Sequence, residues 1–148
     1  MAFSQPWWNV PSQIWFLDLP GTCGPEENKI MNGAFRDNSG FWVLGANWVY
    51  ESCHVKHTAG SVQPIYQVGT LLDGSYNKVN LTVGGTIGTV LVALDGGDSH
   101  SFNAGAGDVS FFGTYTAAAN KKLIITPSTD FNGTISNVQV RKLANECE

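Results

Sequence analysis

The sequence predicts an all-β chain: an antiparallel β-sandwich preceded by an irregular N-terminal arm rich in aromatic residues and proline. Three observations carry this. Short apolar runs recur at a spacing of about ten residues, the rhythm of a sandwich rather than of helices. Turn-forming clusters punctuate them: Asp37-Asn38-Ser39-Gly40, Asp73-Gly74, Gly84-Gly85, Asp95-Gly96-Gly97 and Asn132-Gly133. No stretch sustains a helical period. The nearest, Ala117-Ala118-Ala119-Asn120-Lys121, is too short to stand alone and reads as a strand end and hairpin loop.

The arm covers residues 1–29 and the sandwich residues 30–148. In the arm, Trp7, Trp8, Trp15 and Phe16 sit among Pro6, Pro11, Pro20 and Pro25. Proline fixes φ and removes a backbone donor, so neither a central strand nor a long helix fits there. Such aromatic density needs a surface to cover. The arm either caps its own domain or docks on a partner, since Trp is a favoured interface anchor. The expectation is docking, onto another protein or a second copy of the chain, centred on Trp7, Trp8, Trp15 and Phe16.

The expected strands are Ile30–Phe35, Phe41–Leu44, Trp48–Lys56, Ile65–Val68, Lys78–Val83, Thr89–Ala93, Ser110–Tyr115, Lys122–Thr126 and Gly133–Arg141. In Lys78–Val83 the apolar residues Val79, Leu81 and Val83 share one face and the polar ones the other. In the last strand Val138 and Val140 point inward, whereas Ile135 is out of step by one, which predicts a bulge at Ser136-Asn137.

Bulk properties exclude several classes. The chain has 148 residues, a net charge of −4 and only 14% charged residues, with no basic stripe to suit nucleic acid. No run approaches the roughly 20 apolar residues of a membrane span. Met1-Ala2-Phe3-Ser4-Gln5-Pro6 lacks the pattern of a signal peptide, so the expectation is a chain made in the cytoplasm. Cys23, Cys53 and Cys147 are odd in number and form no CxxC pair, which argues against a zinc knuckle. Three reduced thiols are favoured over one disulfide and a spare thiol.

No reaction announces itself. His54 and His57 lie three apart on an expected strand and face opposite ways, so they cannot share a metal, and Cys53 beside His54 is no thiol–base pair. The glycine clusters at 84–88 and 105–107 precede no helix that could hold a phosphate. Glu51, Asp73, Asp95, Asp98 and Asp108 sit in no hydrolase motif. No catalytic residue, metal or cofactor is therefore expected. Sugar binding needs flat aromatic faces with amides and carboxylates nearby. Trp48 and Tyr50 share a strand face, and Tyr66 and Gln67 are the next candidates. Trp42 is assigned to the core, and the core is also the competing assignment for Trp48.

One resemblance covers about residues 30 to 142. The order Asn32-Gly33-x-Phe35, Gly40-x-Trp42, Gly45-x-x-Trp48, Ile65-x-Gln67, Tyr76 leading into Val79, Leu81 and Val83, and finally Gly133-x-Ile135-x-Asn137-Val138-x-Val140 resembles the jelly-roll carbohydrate-binding modules attached to xylanases. It implies two antiparallel sheets, one concave and able to carry a ligand cleft. That family often holds a structural calcium on acidic residues at the places where Arg36 and Ser136 stand here, so none is expected at that position. Similar modules occur in virion proteins of tailed bacteriophages. The combined expectation is a non-catalytic virion decoration, head-fibre or tail protein, a homo-oligomer located on the particle. Its arm would dock on shell or tail proteins while its jelly-roll body binds host-surface glycans. The alternative is a free-standing carbohydrate-binding module for a β-glycan.

Overall fold

The computed structural model describes residues 25–28, 30–36, 38–67, 76–114 and 123–143. They contain strands and turns and no helix, hence no helix long and apolar enough to cross a membrane. The strands, in chain order, are β1 (Pro25–Asn28), β2 (Val43–Leu44), β3 (Trp48–Glu51), β4 (His54–His57), β5 (Ile65–Gln67) and β6 (Tyr76–Ile87), followed by β7 (Thr89–Leu94), β8 (Ser99–Asn103), β9 (Gly107–Thr114), β10 (Leu123–Pro127) and β11 (Asn132–Leu143).

All pairings are antiparallel and form two sheets. The first has the order β3-β4-β11-β6-β9, with β1 also on β11; the second has the order β2-β5-β10-β7-β8. In β6 the alternation of the sequence becomes alternation of burial. Asn77, Val79, Leu81 and Val83 face the core, and Lys78, Asn80 and Thr82 face outward. Val90, Val92 and Leu94 of β7 and Leu123 and Ile125 of β10 meet them from the second sheet, all 0% exposed. The architecture is the expected antiparallel β-sandwich, with Trp42 in its core beside Phe35, ring centroids 5.2 Å apart.

The bulge in the last strand is present. Register shifts between Ser136 and Gln139, and Asn137 takes φ 52°. The extra residue brings Ile135, Val138 and Val140 into phase on the core side. Val138 then donates its N–H to Gly33 O at 2.9 Å. A Cβ on Gly33 would lie on top of Val138 O, so only glycine permits this approach.

Three expectations need correction. Ile30–Phe35 is a turn, not a strand: Asn32 and Phe35 have φ of 51° and 49°. Asn tolerates that region, and burial of Phe35 (0% exposed) holds the second residue there. Trp48–Lys56 is two strands, broken at Ser52-Cys53, where Cys53 has φ 64°. Among the described residues, pairing also includes Pro25–Asn28, inside the stretch assigned to the arm. Proline suits the first residue of a strand, where no ladder donor is needed. Asn28 fastens β1, its Oδ1 accepting from both Ile30 N and Val140 N at 3.0 Å. The arm anchors Trp7, Trp8, Trp15 and Phe16 lie outside the described residues, as do Cys23 and Cys147. Cys53 is a free, exposed thiol.

Candidate functional site

The four residues expected to bind glycan do not converge. Trp48 is 5% exposed. Its Nε1 donates to Gln63 O at 2.8 Å, and its ring packs 4.8 Å from that of His57. Gln67 is 2% exposed and spends its amide on the backbone of Met31, Oε1 accepting at 2.8 Å and Nε2 donating at 2.9 Å. Both are interior residues that fix the fold. The shared face of Trp48 and Tyr50 is real, but it is the inner one. Tyr50 packs half-buried against the core and donates its hydroxyl to Arg36 O at 3.0 Å. Tyr66 lies half-buried on the outer face of the second sheet, in register with Val43 and Ile124.

The open groove with the strongest recognition chemistry lies elsewhere, on the outer face of the first sheet, where β9, β6 and β11 run side by side. Register places Phe112, Lys78 and Arg141 in one row, Ser110, Asn80 and Gln139 in the next, and Asp108, Thr82 and Ser136 in the third. The groove over Lys78, Arg141, Asn80, Ser110, Gln139 and Thr82 has a volume of about 490 Å³. Strand pleating explains its composition: every second residue of an apolar-in strand is free to be polar. At one end Tyr76 and Phe112, 43% and 53% exposed, stack with centroids 6.2 Å apart and planes 14° from parallel. Lys78 Nζ sits 5.7 Å from the centroid of Phe112, within cation–π range.

Internal hydrogen bonds hold the floor. Thr82 Oγ1 donates to Asp108 Oδ1 at 2.6 Å, Asn137 Nδ2 reaches Thr82 Oγ1 at 3.4 Å, and Arg141 donates to Gln139 Oε1 at 3.4 Å. Among the described lining residues Asp108 is the single carboxylate. A smaller recess of about 290 Å³ adjoins it across Asn137 and Gln139, bordered by Asn28, Asn32 and Arg36.

Beside that recess, the loop from Asn32 to Gly40 closes on an amide. Asn32 Nδ2 donates toward Asn38 O at 3.0 Å, Gly40 O at 3.2 Å and Asn38 Oδ1 at 3.3 Å, while its Oδ1 accepts from Arg36 N at 3.2 Å. Among the described residues no group of three or more His, Cys, Asp or Glu side chains is placed to hold a metal. His54 and His57 do face opposite ways: His54 contacts Glu51 at 3.1 Å on the surface and His57 is fully buried.

Tyr76 and Phe112 are not among the residues the sequence singles out for sugar contact, although two signals mark them as outward-facing. Phe111 and Phe112 are consecutive on a strand, so one must face out. Tyr76 is in phase with Lys78, Asn80 and Thr82, the polar face of β6.

No family model and no curated protein matches the sequence. Solved structures do. One, a CBM4 carbohydrate-binding module, has a TM-score of 0.50 at 15% identity and covers 76% of this chain and 99% of that one. Variants of the family 29 carbohydrate-binding module CBM29-2 have a TM-score of 0.40 at 10% identity, covering 74% of this chain and 86% of theirs. At that identity the likeness to the CBM4 module establishes a shared fold.

Proposed function

We propose that the chain is a non-catalytic carbohydrate-binding module whose glycan lies in the groove on the outer face of the first sheet. The observation that carries this is the pairing of a hydrogen-bonding floor with an exposed aromatic stack at its end. Asn80, Ser110 and Gln139 offer donors and acceptors to sugar hydroxyls, and Tyr76 and Phe112 offer flat apolar faces to a pyranose ring. The similarity in fold to a carbohydrate-binding module supports the reading. A hydrolytic role finds no support, because glycoside hydrolysis uses two carboxyl groups and the described lining offers Asp108 alone. The test is a glycan array followed by titration calorimetry on the best ligand, with Phe112→Ala and Asn80→Ala as site variants. Binding that both variants weaken supports the site. A chain that captures no glycan, or whose binding ignores both changes, overturns it.

A second reading sets this module on a bacteriophage particle, with the arm on shell or tail proteins, copies associating with one another, and the body turned to host glycans. Its support is the aromatic arm of Trp7, Trp8, Trp15 and Phe16, which enters the sandwich through β1. Deleting residues 1–24 tests it: loss of association with glycan binding retained supports it, and association that survives the deletion overturns it.

A further inference from the structure

The outer face of the second sheet is apolar where an outer face is ordinarily polar. Register sets Val43, Tyr66, Ile124 and Ala93 in one row across β2, β5, β10 and β7, with Leu91 in the next row. Val43 and Leu91 are 48% and 43% exposed. None of the described outward residues of this sheet is charged. A sheet face turned to water usually carries polar residues, so such a row calls for a cover. Phe41 adds to it. Two residues before Val43, it stands at φ 74° and is 67% exposed, in the turn that Trp42 N closes on Ser39 O at 3.0 Å. That turn position ordinarily takes glycine. A bulky residue there is an outlier, of the kind kept where a surface is used.

We infer that this face receives the arm of a second copy of the chain, residues 1–24, and that two copies exchange arms. This rests on the reading of the arm as an anchor and is independent of the glycan groove, which lies on the other sheet. Composition matches: Trp7, Trp8, Trp15 and Phe16 sit in a segment whose one charged side chain is Asp18. The outer face of the first sheet suits it less, because Lys56, Lys78, Asp108 and Arg141 point outward there and an uncharged arm would strip them of water. Position matches too. β1 sets Pro25 opposite Leu143, at the end of the sandwich where Leu94 N donates to Asp98 O and Asp98 N to Thr114 O. The apolar row lies one residue in from that end, Ile124 beside Leu123 and Ala93 beside Leu94. β1 belongs to the first sheet and carries the chain outward past that end, toward a neighbour rather than over its own second sheet. Residues 1–24, fully extended, reach about 80 Å, against about 20 Å across the five strands. Copies with a net charge of −4 repel, least where uncharged surfaces meet. Exchange is symmetric, so each pair makes two linked contacts.

The test uses full-length chains in light scattering and analytical sedimentation. Wild type should form a dimer at micromolar concentration. On the receiving face, Leu91→Lys or Val43→Lys puts a charge into the contact; in the arm, Trp8→Ser with Trp15→Ser removes two anchors. Each variant should weaken dimerisation by about tenfold or more. Leu91 and Val43 are exposed, so both lysine variants should keep the wild-type circular dichroism, and either one suffices for the comparison. Mixing a face variant with the arm variant should restore a one-to-one pair, weaker than wild type because one contact replaces two. An arm folded onto its own copy gives no such rescue. A monomeric wild type, dimerisation that both lysines leave unchanged, or no pair on mixing overturns the inference. A monomer whose arm attaches to a separate protein overturns it while leaving the arm an anchor, whereas dimerisation that ignores the tryptophan changes removes both.

Discussion

Tyr76 and Phe112 present a nearly parallel pair of rings to solvent on the strand face that carries the polar groove, Phe112 directly opposite Lys78. Both are exposed, so neither holds the core together. Phe112→Ala should therefore cost about 1 kcal/mol of stability or less while weakening glycan binding by about tenfold or more, as a central aromatic contact does. Chemical denaturation and calorimetry on the same protein preparation separate the two effects. A large stability loss with unchanged binding would assign the stack to the fold.

Trp42 shows the opposite balance. It is 7% exposed, packs on Phe35, and donates Nε1–H to Asn32 O at 3.1 Å. Trp42→Ala should cost about 3–5 kcal/mol, the range for a large aromatic lost from a core. Trp42→Phe keeps most of the packing and should cost less. A loss below about 1 kcal/mol in urea denaturation of the alanine variant would place the ring outside the core.

Burial periodicity was the legible part of this chain. Val79, Leu81 and Val83 were placed correctly because alternation depends only on the strand pleat. The Asn137 bulge was legible for the same reason, as a break in phase. Two things were not. β8 reads Ser-His-Ser-Phe-Asn, an edge strand with its residues largely exposed, so no apolar pattern marks it. The facing of the candidate glycan contacts is not legible because aromatic identity does not reveal it: only the layering of the two sheets decides that Trp48 points into the core and Tyr66 to the outer face of the second sheet.

Asn32 governs the turn before β2. Its Nδ2 faces three carbonyl oxygens and its backbone sits at φ 51°. Asn32→Gly relieves the backbone and loses the bonds. Asn32→Asp keeps the backbone tolerance but turns a carboxylate oxygen toward those carbonyls. The aspartate should be the more destabilising of the two, by about 1–3 kcal/mol relative to wild type. Equal melting temperatures for wild type and Asn32→Asp would show that the amide does not close the loop.

The boundary between arm and body gives the last prediction. β11 pairs along one edge with β6 and along the other with β4 and, beyond it, β1. Asn28 supplies the buried Val140 N–H with its acceptor across 3.0 Å, so removing β1 leaves that donor unsatisfied at a cost of about 1–3 kcal/mol and opens an unpaired strand edge, a template for aggregation. Deleting residues 1–24 spares all of this. The shorter deletion should leave the melting temperature nearly unchanged, whereas deleting residues 1–29 should lower it. If the arm docks on a partner or a second copy through Trp7, Trp8, Trp15 and Phe16, the protein lacking residues 1–24 should also run as a smaller species in light scattering and fail to join particles, with glycan binding retained. Association that survives the shorter deletion removes the arm as an anchor, and unfolding on the shorter deletion makes it part of the core instead.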